Sequence, residues 1–191
     1  MQIDRIDFLQ WLFRTEPIND AIRLQKLEEA RDEIDFTFQE FRKEGLVDSI
    51  GTFPYSVPFG TAVSQMLTTI SGWITYFNLI EQENINNLPT DQWLIGLRPL
   101  AAGKVFSKFE QLETKTFDEF IQVPGLSKTE SMIDFSLRYC LMHQQVKTNV
   151  LSINSMEQAE SIKRILQHAK PIEKEKLDNI LNVFAKANAE E

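Results

Sequence analysis

The run Arg5-Ile6-Asp7-Phe8-Leu9-Gln10-Trp11-Leu12-Phe13 is dense in apolar and aromatic residues, which is typical of a buried strand. Asp20 can then cap a long helix, because apolar residues recur after it at steps of three and four: Leu27, Ala30, Ile34, Phe38 and Phe41. Gly45 ends this helix, and a second strand is predicted over residues 46–52. A strand, a helix and a second strand in this order predict a parallel pair with the helix packed outside it.

The same alternation continues along the chain. Three more strands are predicted over residues 73–79, 93–98 and 148–153, because these runs are rich in β-branched and aromatic side chains. The helix before the third strand is predicted to end at Gly72, and residues 103–125 are predicted to be a long loop with one helical piece over residues 116–121.

Two capping boxes, at Ser127 to Glu130 and at Ser155 to Gln158, predict helix starts, and the first of these helices runs to about His143. Five strand–helix units and a last helix predict one domain, residues 1–191. Two architectures fit this order: a doubly wound open sheet, or part of a (β/α)8 barrel.

The composition excludes several classes of function. The 191 residues carry a net charge of −8, which disfavours nucleic acid as a partner. A single cysteine, Cys140, excludes an internal disulfide and a thiolate metal cluster, and the two histidines, His143 and His168, are not at metal-ligand spacing. There is no apolar run of membrane-spanning length and no signal-peptide pattern, so we expect a cytoplasmic protein with no membrane partner.

Five segments, in chain order, resemble motifs of the aldo/keto reductase family. Residues 5–11 look like the fourth barrel strand, and residues 44–52 look like the start of the fifth. Residues 76–80 resemble the end of strand six, and residues 150–158 resemble strand eight with the helix start that follows it. Arg98-Pro99-Leu100-Ala101-Ala102-Gly103 is similar to the "SPLAxG" turn after strand seven.

This resemblance implies an α/β fold, an incomplete TIM-type (β/α) barrel of about five parallel strands with outer helices and a C-terminal helix. It also implies a chain that starts at strand four. The family's catalytic Asp, Tyr and Lys lie on its first three units, and its catalytic His aligns with Leu12, which cannot donate a hydrogen bond. No catalytic residue is therefore carried over to this chain.

The resemblance further implies an NADPH site at the C-terminal strand ends, in a degenerate form. Phe53 and Pro54 stand where the family holds the nicotinamide carboxamide with Ser and Asn, and Ile74 stands in place of a Gln. Ser152 replaces a Gly, and Ile162 replaces an Asn that faces adenine in relatives. We therefore expect NADPH binding to be weak or lost.

The candidate cofactor-binding residues are those that keep the family's pattern after strands seven and eight, together with a nearby lysine: Arg98, Pro99, Leu100, Ala101, Gly103, Lys104, Ser155 and Gln158. A helix start with free N–H groups can bind a phosphate. Each residue also has a structural explanation. Arg98 can pair with a carboxylate, Gly103 can serve turn geometry, and Ser155 and Gln158 can form a helix cap.

Five strands of an eight-stranded barrel leave two unpaired edges, which favour association with another polypeptide. We expect self-association, or a second chain that completes the barrel, unless the sequence is a truncated product. Three functions remain open. The first is a catalytically inactive partner subunit, scaffold or remnant. The second is an NADPH-dependent oxidoreductase that acts on carbonyl substrates once the barrel is completed. The third is an unrelated ligand-binding open sheet.

Overall fold

The computed structural model describes residues 4–167 and 170–189, so His168 lies outside the described residues. Five parallel strands form one sheet in the order β1-β2-β3-β4-β5. In β1–β2 the register places Phe8 opposite Ser49, and in β2–β3 it places Gly51 opposite Gly72. The strands are β1 Ile6–Trp11, β2 Val47–Thr52, β3 Ile70–Tyr76, β4 Trp93–Leu97 and β5 Val146–Val150.

Every strand is followed by helical structure, which agrees with the predicted alternation. The helices are α1 Asp20–Lys43, α2 Val57–Met66, α3 Glu83–Asn87, α4 Lys104–Glu110, α5 Thr114–Phe120, α6 Lys128–Met142, α7 Met156–Gln167 and α8 Lys174–Ala189. No helix in the described ranges is long and apolar enough to cross a membrane.

The strand order decides between the two predicted architectures. Each strand pairs with its neighbour along the chain, and the order never reverses. A doubly wound sheet requires such a reversal. The fold is therefore an incomplete TIM-type (β/α) barrel, and the doubly wound alternative is wrong.

The first of two compact units comprises residues 4–75 and 83–95. Its core packs α1 and α2 against β2 through Leu27, Ile50 and Phe59, all fully buried. Trp93 of β4 lies across the backbone of β2 and β3, and its indole Nε1 donates to Ser71 Oγ over 3.1 Å. Its ring also meets Phe8 edge to face at 5.1 Å.

The second unit comprises residues 76–82 and 96–189, apart from 168 and 169. Its core joins the segment after β4 to α4, α5, α6 and α8, and its fully buried members include Val105, Phe109 and Phe135. Cys140 is buried beside this core, and its thiol lies 3.5 Å from the carbonyl oxygen of Phe77. Burial raises the pKa of the Cys140 thiol to about 12.

Several local predictions differ from the structure, and the third strand, predicted over residues 73–79, spans Ile70–Tyr76. Asn19, not Asp20, caps α1, because its side chain accepts the N–H of Ile22. Gly72 lies inside β3 and ends no helix, because Trp93 occupies the space that a side chain there would fill. The predicted loop over residues 103–125 contains the helices α4 and α5. Strand β5 ends at Val150, because the residues after it leave the sheet to line a pocket.

Candidate functional site

A pocket of about 340 Å³ lies in the second unit, at the C-terminal ends of β4 and β5. The segment after β4, the loop after β5 and the first turns of α6 and α7 enclose it. Ligand sites of (β/α) barrels are built from the loops at this end of the strands. The lining residues are Leu100, Phe106, Thr129, Ile133, Leu151, Ser152, Ile153, Asn154, Gln158, Ser161 and Ile162.

The pocket combines apolar walls with uncharged polar groups. Leu100, Phe106 and Ile133 are among its apolar residues, and Thr129 and Ser161 are among its hydrogen-bonding ones. No lysine, arginine, aspartate or glutamate is among its lining residues in the part of the chain that is described. Such walls suit a ligand with apolar faces and a few hydrogen-bonding atoms.

The start of α6 is fixed by the predicted capping box, and the start of α7 keeps only the Ser155 half of the one predicted there. In α6, Ser127 Oγ accepts the N–H of Glu130 over 3.3 Å, and the Glu130 carboxylate accepts the N–H of Ser127 over 3.0 Å. In α7, Ser155 Oγ accepts the N–H of Gln158 over 3.1 Å, and Gln158 Oε1 accepts the N–H of Asn154 over 2.8 Å. These bonds hold Asn154 and Gln158 at the pocket wall.

Glu130 also joins the two helices. Its carboxylate accepts the hydroxyl of Ser161 over 3.0 Å and forms an ion pair with Arg164. The N–H of Ser127, the Arg164 guanidinium and the hydroxyls of Ser127 and Ser161 lower the pKa of Glu130 to about 2. Glu130 is therefore ionised at neutral pH, and the charge of Arg164 is compensated.

Two of the eight predicted cofactor residues, Leu100 and Gln158, line the pocket. Ser155 forms the α7 cap described above. Arg98 lies over the ring of Tyr76 at 4.4 Å and 3.7 Å from a Glu81 carboxylate oxygen. Its backbone oxygen accepts the amide of Asn78 over 3.0 Å. Arg98 therefore lies beside a carboxylate, which is the structural explanation that the sequence analysis gave for it.

The other predicted residues form the turn that follows β4. Ala101 is buried in the core, and Pro99 is buried too, while Lys104 is exposed at the start of α4. The backbone is left-handed at Arg98 (φ 57°), Ala101 (φ 48°), Ala102 (φ 53°) and Gly103 (φ 91°). A left-handed conformation costs a residue with a side chain about 1–2 kcal/mol. Strain of this kind concentrates where loops are held for binding.

In the first unit, a buried arginine organises the loops after β1 and β2. Arg23 of α1 is fully buried, and its guanidinium donates to the carbonyl oxygens of Phe13 (2.9 Å) and Pro54 (2.8 Å) and to Asp20 (2.8 Å). It also lies 3.4 Å from the centre of the Phe59 ring. Sequence analysis missed this residue, although Arg23 stands four positions before Leu27 on the apolar stripe of α1.

Apolar residues stand at the positions where the resemblance implies nicotinamide contacts. Phe53, Pro54 and Ile74 are buried, and Pro54 offers its carbonyl oxygen to Arg23. Leu12, which aligns with the family's histidine, is exposed. The Thr52 hydroxyl is buried with no hydrogen-bond partner among the described residues.

Comparisons with known proteins identify the fold. No protein-family model and no curated protein matches the chain. A thermostable aldo-keto reductase, solved with the inhibitor epalrestat, is 14% identical with a TM-score of 0.56, over 94% of this chain and 60% of that one. An aldo-keto reductase from Bacillus halodurans in its holo form is 15% identical with a TM-score of 0.57, over 94% and 61%. One from a Medee basin deep-sea metagenome library is 12% identical with a TM-score of 0.59, over 95% and 60%.

The chain therefore spans about three-fifths of the length of the solved structures that it matches. At these identities the likeness shows that the fold is that of aldo-keto reductases. Across nearly the whole chain, the expected incomplete barrel is confirmed.

The residues at the pocket fit part of the cofactor that the resemblance implies. Apolar walls and neutral hydrogen-bonding groups suit the base and ribose of a nucleotide. They offer no cation to a phosphate inside the pocket. The N–H groups of Met156 and Glu157, in the first turn of α7, lack partners within the helix and could meet a phosphate.

Proposed function

We infer that this chain is the cofactor-side part of an aldo-keto-reductase-like barrel and binds a nicotinamide dinucleotide without reducing substrates by itself. The pocket at the C-terminal ends of β4 and β5 carries the inference, because it lies where a (β/α) barrel builds its ligand site. The fold likeness over 94% of the chain supports it.

The proposed lack of substrate reduction by this chain alone rests on the residue types. The resemblance assigns the family's catalytic Asp, Tyr and Lys to units that this chain does not include, and Leu12 replaces the histidine. Phe53, Pro54 and Ile74 place buried apolar surface where polar groups would hold the nicotinamide. In this proposal the residues present keep the nucleotide end of the site and do not supply the reducing chemistry.

Calorimetric titration with NADH and NADPH tests this function. We expect at least one dinucleotide to bind with a Kd of roughly 10 μM to 1 mM, which is about −7 to −4 kcal/mol. We expect no loss of reduced cofactor when an aldehyde is added. No binding of either dinucleotide up to about 1 mM, or turnover by this chain alone, would overturn the proposal.

A pair of variants on one helix locates the binding. Ile162→Trp fills the pocket and should abolish the titration signal, because Ile162 is one of its lining residues. Leu166→Trp, one turn later and exposed, should bind like the parent chain. Circular dichroism checks that both variants are folded. Equal binding by the two variants would place the dinucleotide elsewhere.

A second candidate is an NADPH-dependent oxidoreductase, acting on carbonyl substrates, that other strands complete. It is favoured by Asn149 on the edge strand β5, whose side-chain amide nitrogen and oxygen are both buried without a hydrogen-bond partner in the described residues. Buried polar groups are normally paired. Strands from another polypeptide could supply the missing partner.

Reconstitution tests this candidate. The first three strand–helix units of one of the similar aldo-keto reductases would be joined to this chain, and aldehyde reduction measured. We expect slow turnover that rises in the Leu12→His variant, because a histidine can donate the hydrogen bond that leucine cannot. A folded hybrid that binds cofactor but never turns over would exclude this role.

A further inference from the structure

The two end strands of the sheet are both open to a further strand. β1 and β5 stand first and last in the strand order, so each has a single neighbour among the described residues. Pairing β1 with β1 of a second copy either reverses the strand direction or turns the helix-covered face to the other side. Pairing β5 of one copy with β1 of another keeps the strands parallel and the helices on one face. The sheet is therefore continued without a break only by the head-to-tail arrangement.

Asp7 is an unpaired charge on the helix-covered face of β1. Leu9 packs against the helices of the first unit, whereas Phe8 is exposed on the other face. Since side chains alternate along a strand, Asp7 shares the covered face with Leu9. It is exposed and forms no ion pair among the described residues, because the guanidinium of the nearby Arg5 pairs with Asp48.

Lys147 holds the matching position on β5. The side-chain amide of Asn149 is buried, whereas Val150 is exposed, so Asn149 lies on the covered face of this strand. Lys147 stands two residues before Asn149 and shares that face. Lys147 is exposed, and it too forms no ion pair in the part of the chain that is described. Each open edge therefore carries one unpaired charge on the same side of the sheet, and the two charges are opposite.

The register of β1 and β2 shows how the two charges would meet. Ile6 and Val47, the first residues of β1 and β2, stand opposite each other. The same register between β5 of one copy and β1 of another places Asp7 beside Lys147, where opposite charges attract. On the uncovered face it brings the exposed Phe8 and Val150 to diagonal positions, where they bury apolar surface.

A groove beside β1 fits the helix that follows β5. Its volume is about 390 Å³, it lies at the first residues of β1 and β2, and Leu9, Phe41 and Leu46 are among its apolar lining residues. In a (β/α) barrel the helix after each strand packs outside the sheet and returns towards the start of the next strand. The end of α7 in a second copy would therefore reach this groove. That end carries Leu166, an exposed apolar residue.

We propose that copies of this chain associate head to tail, with β5 of one copy pairing in parallel with β1 of the next. Asp7 and Lys147 form an ion pair across the joint, and Leu166 of one copy fills the groove beside β1 of the other. The interface is separate from the proposed function, because none of these three residues lines the pocket at β4 and β5.

Charge reversal tests the ion pair. Asp7→Lys alone and Lys147→Asp alone place like charges at the joint, so each should weaken association roughly tenfold at low salt. The combined variant restores opposite charges and should associate within about twofold of the parent chain. Sedimentation equilibrium measures all four chains. A combined variant as weak as either single one, or a parent chain that is monomeric at every concentration, would overturn the proposal.

A matched charge reversal controls for net charge. Lys26→Glu, Glu33→Lys and their combination change exposed positions of α1 by the same charges. We expect all three to associate like the parent chain. A tenfold loss in either single control, recovered in the combined one, would mean that net charge and not the joint controls association.

Cross-linking distinguishes head-to-tail pairing from pairing of β1 with β1. Chains carrying Asp7→Cys or Lys147→Cys are treated with a short bismaleimide, separately and as a mixture, above the concentration at which the parent chain associates. Cys140 is buried and serves as the unreactive background. We expect covalent dimers in the mixture and few in either chain alone. Dimers of Asp7→Cys alone, or none in the mixture, would show that β1 does not meet β5 of a second copy.

Discussion

A single buried arginine connects three segments of the first unit. Arg23 donates to two backbone carbonyl oxygens in the loops after β1 and β2 and to the Asp20 carboxylate on its own helix. Asp20 also accepts the hydroxyl of Ser56 over 2.5 Å. Arg23 therefore supplies hydrogen bonds to both loops at once.

Replacing Arg23 by methionine keeps much of its length and removes its donors. We expect Arg23→Met to lower the free energy of unfolding by about 2–5 kcal/mol, because buried carbonyl oxygens lose their partners. Arg31→Met, on the exposed side of the same helix, should change it by less than about 0.5 kcal/mol. Urea denaturation with a constant m value measures both. A loss below 1 kcal/mol for Arg23→Met would contradict the network's importance.

At the scale of elements, glycines allow Trp93 to cover two strands. A Cβ atom at Gly51 would lie 2.6 Å from the Trp93 ring, and one at Gly72 would lie 2.4 Å from the Trp93 backbone oxygen. The first clash involves a side chain that can be shortened, whereas the second involves backbone that cannot. Shortening Trp93 should therefore make room for a side chain at Gly51 but not at Gly72.

Double-mutant cycles separate these two contacts. Gly51→Ala alone should destabilise the chain by about 1–3 kcal/mol, and most of that cost should vanish in a Trp93→Leu background. Gly72→Ala should stay destabilising in the same background, because the backbone oxygen remains. Thermal or urea unfolding gives the four free energies of each cycle. If Trp93→Leu restored stability equally to both alanine variants, the Trp93 ring alone would be the obstacle to a side chain at either glycine.

The contact between α6 and α7 should depend on pH. A carboxylate with a lowered pKa stabilises the fold fully above its usual value of 4.5, and this contribution is lost as the pH falls through about 2. The parent chain and Glu130→Gln should therefore differ in their unfolding midpoint at pH 5, and this difference should shrink as the pH is lowered to about 2. The exposed Glu110→Gln is the matched control. A pH-independent difference for Glu130→Gln would show that its charge does not stabilise the contact.

Features set by neighbouring residues could be predicted from the sequence. The capping box of α6 and the Ser155 cap of α7 were predicted correctly, because Ser127 to Glu130 and Ser155 to Gln158 are single helix turns, whereas the bond from Asn154 to Gln158 was not predicted. The role of Gly72 was not predicted, since it depends on Trp93, which lies 21 positions further along the chain. The helix α4 was missed because it is short and begins at a left-handed Gly103 that resembles a loop glycine.

The candidate site shows the same limit. Leu100 and Gln158 were predicted from the resemblance to a known family and line the pocket, and their role as cofactor contacts stays a prediction. Thr129, Phe106 and Ser161 were missed, because three separate segments bring them to one pocket and no single motif contains them. The compensation of Arg164 could not be predicted either, since Glu130 lies 34 positions before it on another helix.

At the scale of the molecule, the first strand of the sheet presents an open edge. β1 pairs with β2 on one side only, and Ile6, Phe8 and Leu12 are exposed apolar residues on or just after it. An exposed apolar edge strand is a template for pairing with another chain. We therefore expect the chain to self-associate through β1.

Sedimentation measurements over a range of concentrations test this expectation. The parent chain should show a mass that rises with concentration, and Ile6→Lys combined with Leu12→Lys should remain monomeric, since charges on an edge oppose strand pairing. Ile22→Lys combined with Phe36→Lys adds the same charge at exposed apolar positions of α1. If the control pair also made the chain monomeric, or if the parent chain were monomeric at every concentration, self-association through β1 would be contradicted.

The strand order has a consequence for how the protein is made. Because β1 to β5 pair in the order in which they occur, each new strand meets its neighbour as soon as it leaves the ribosome. No strand must wait for a distant segment, so the loops that close during folding stay short and their entropic cost stays low. The sheet can therefore grow one strand at a time during translation.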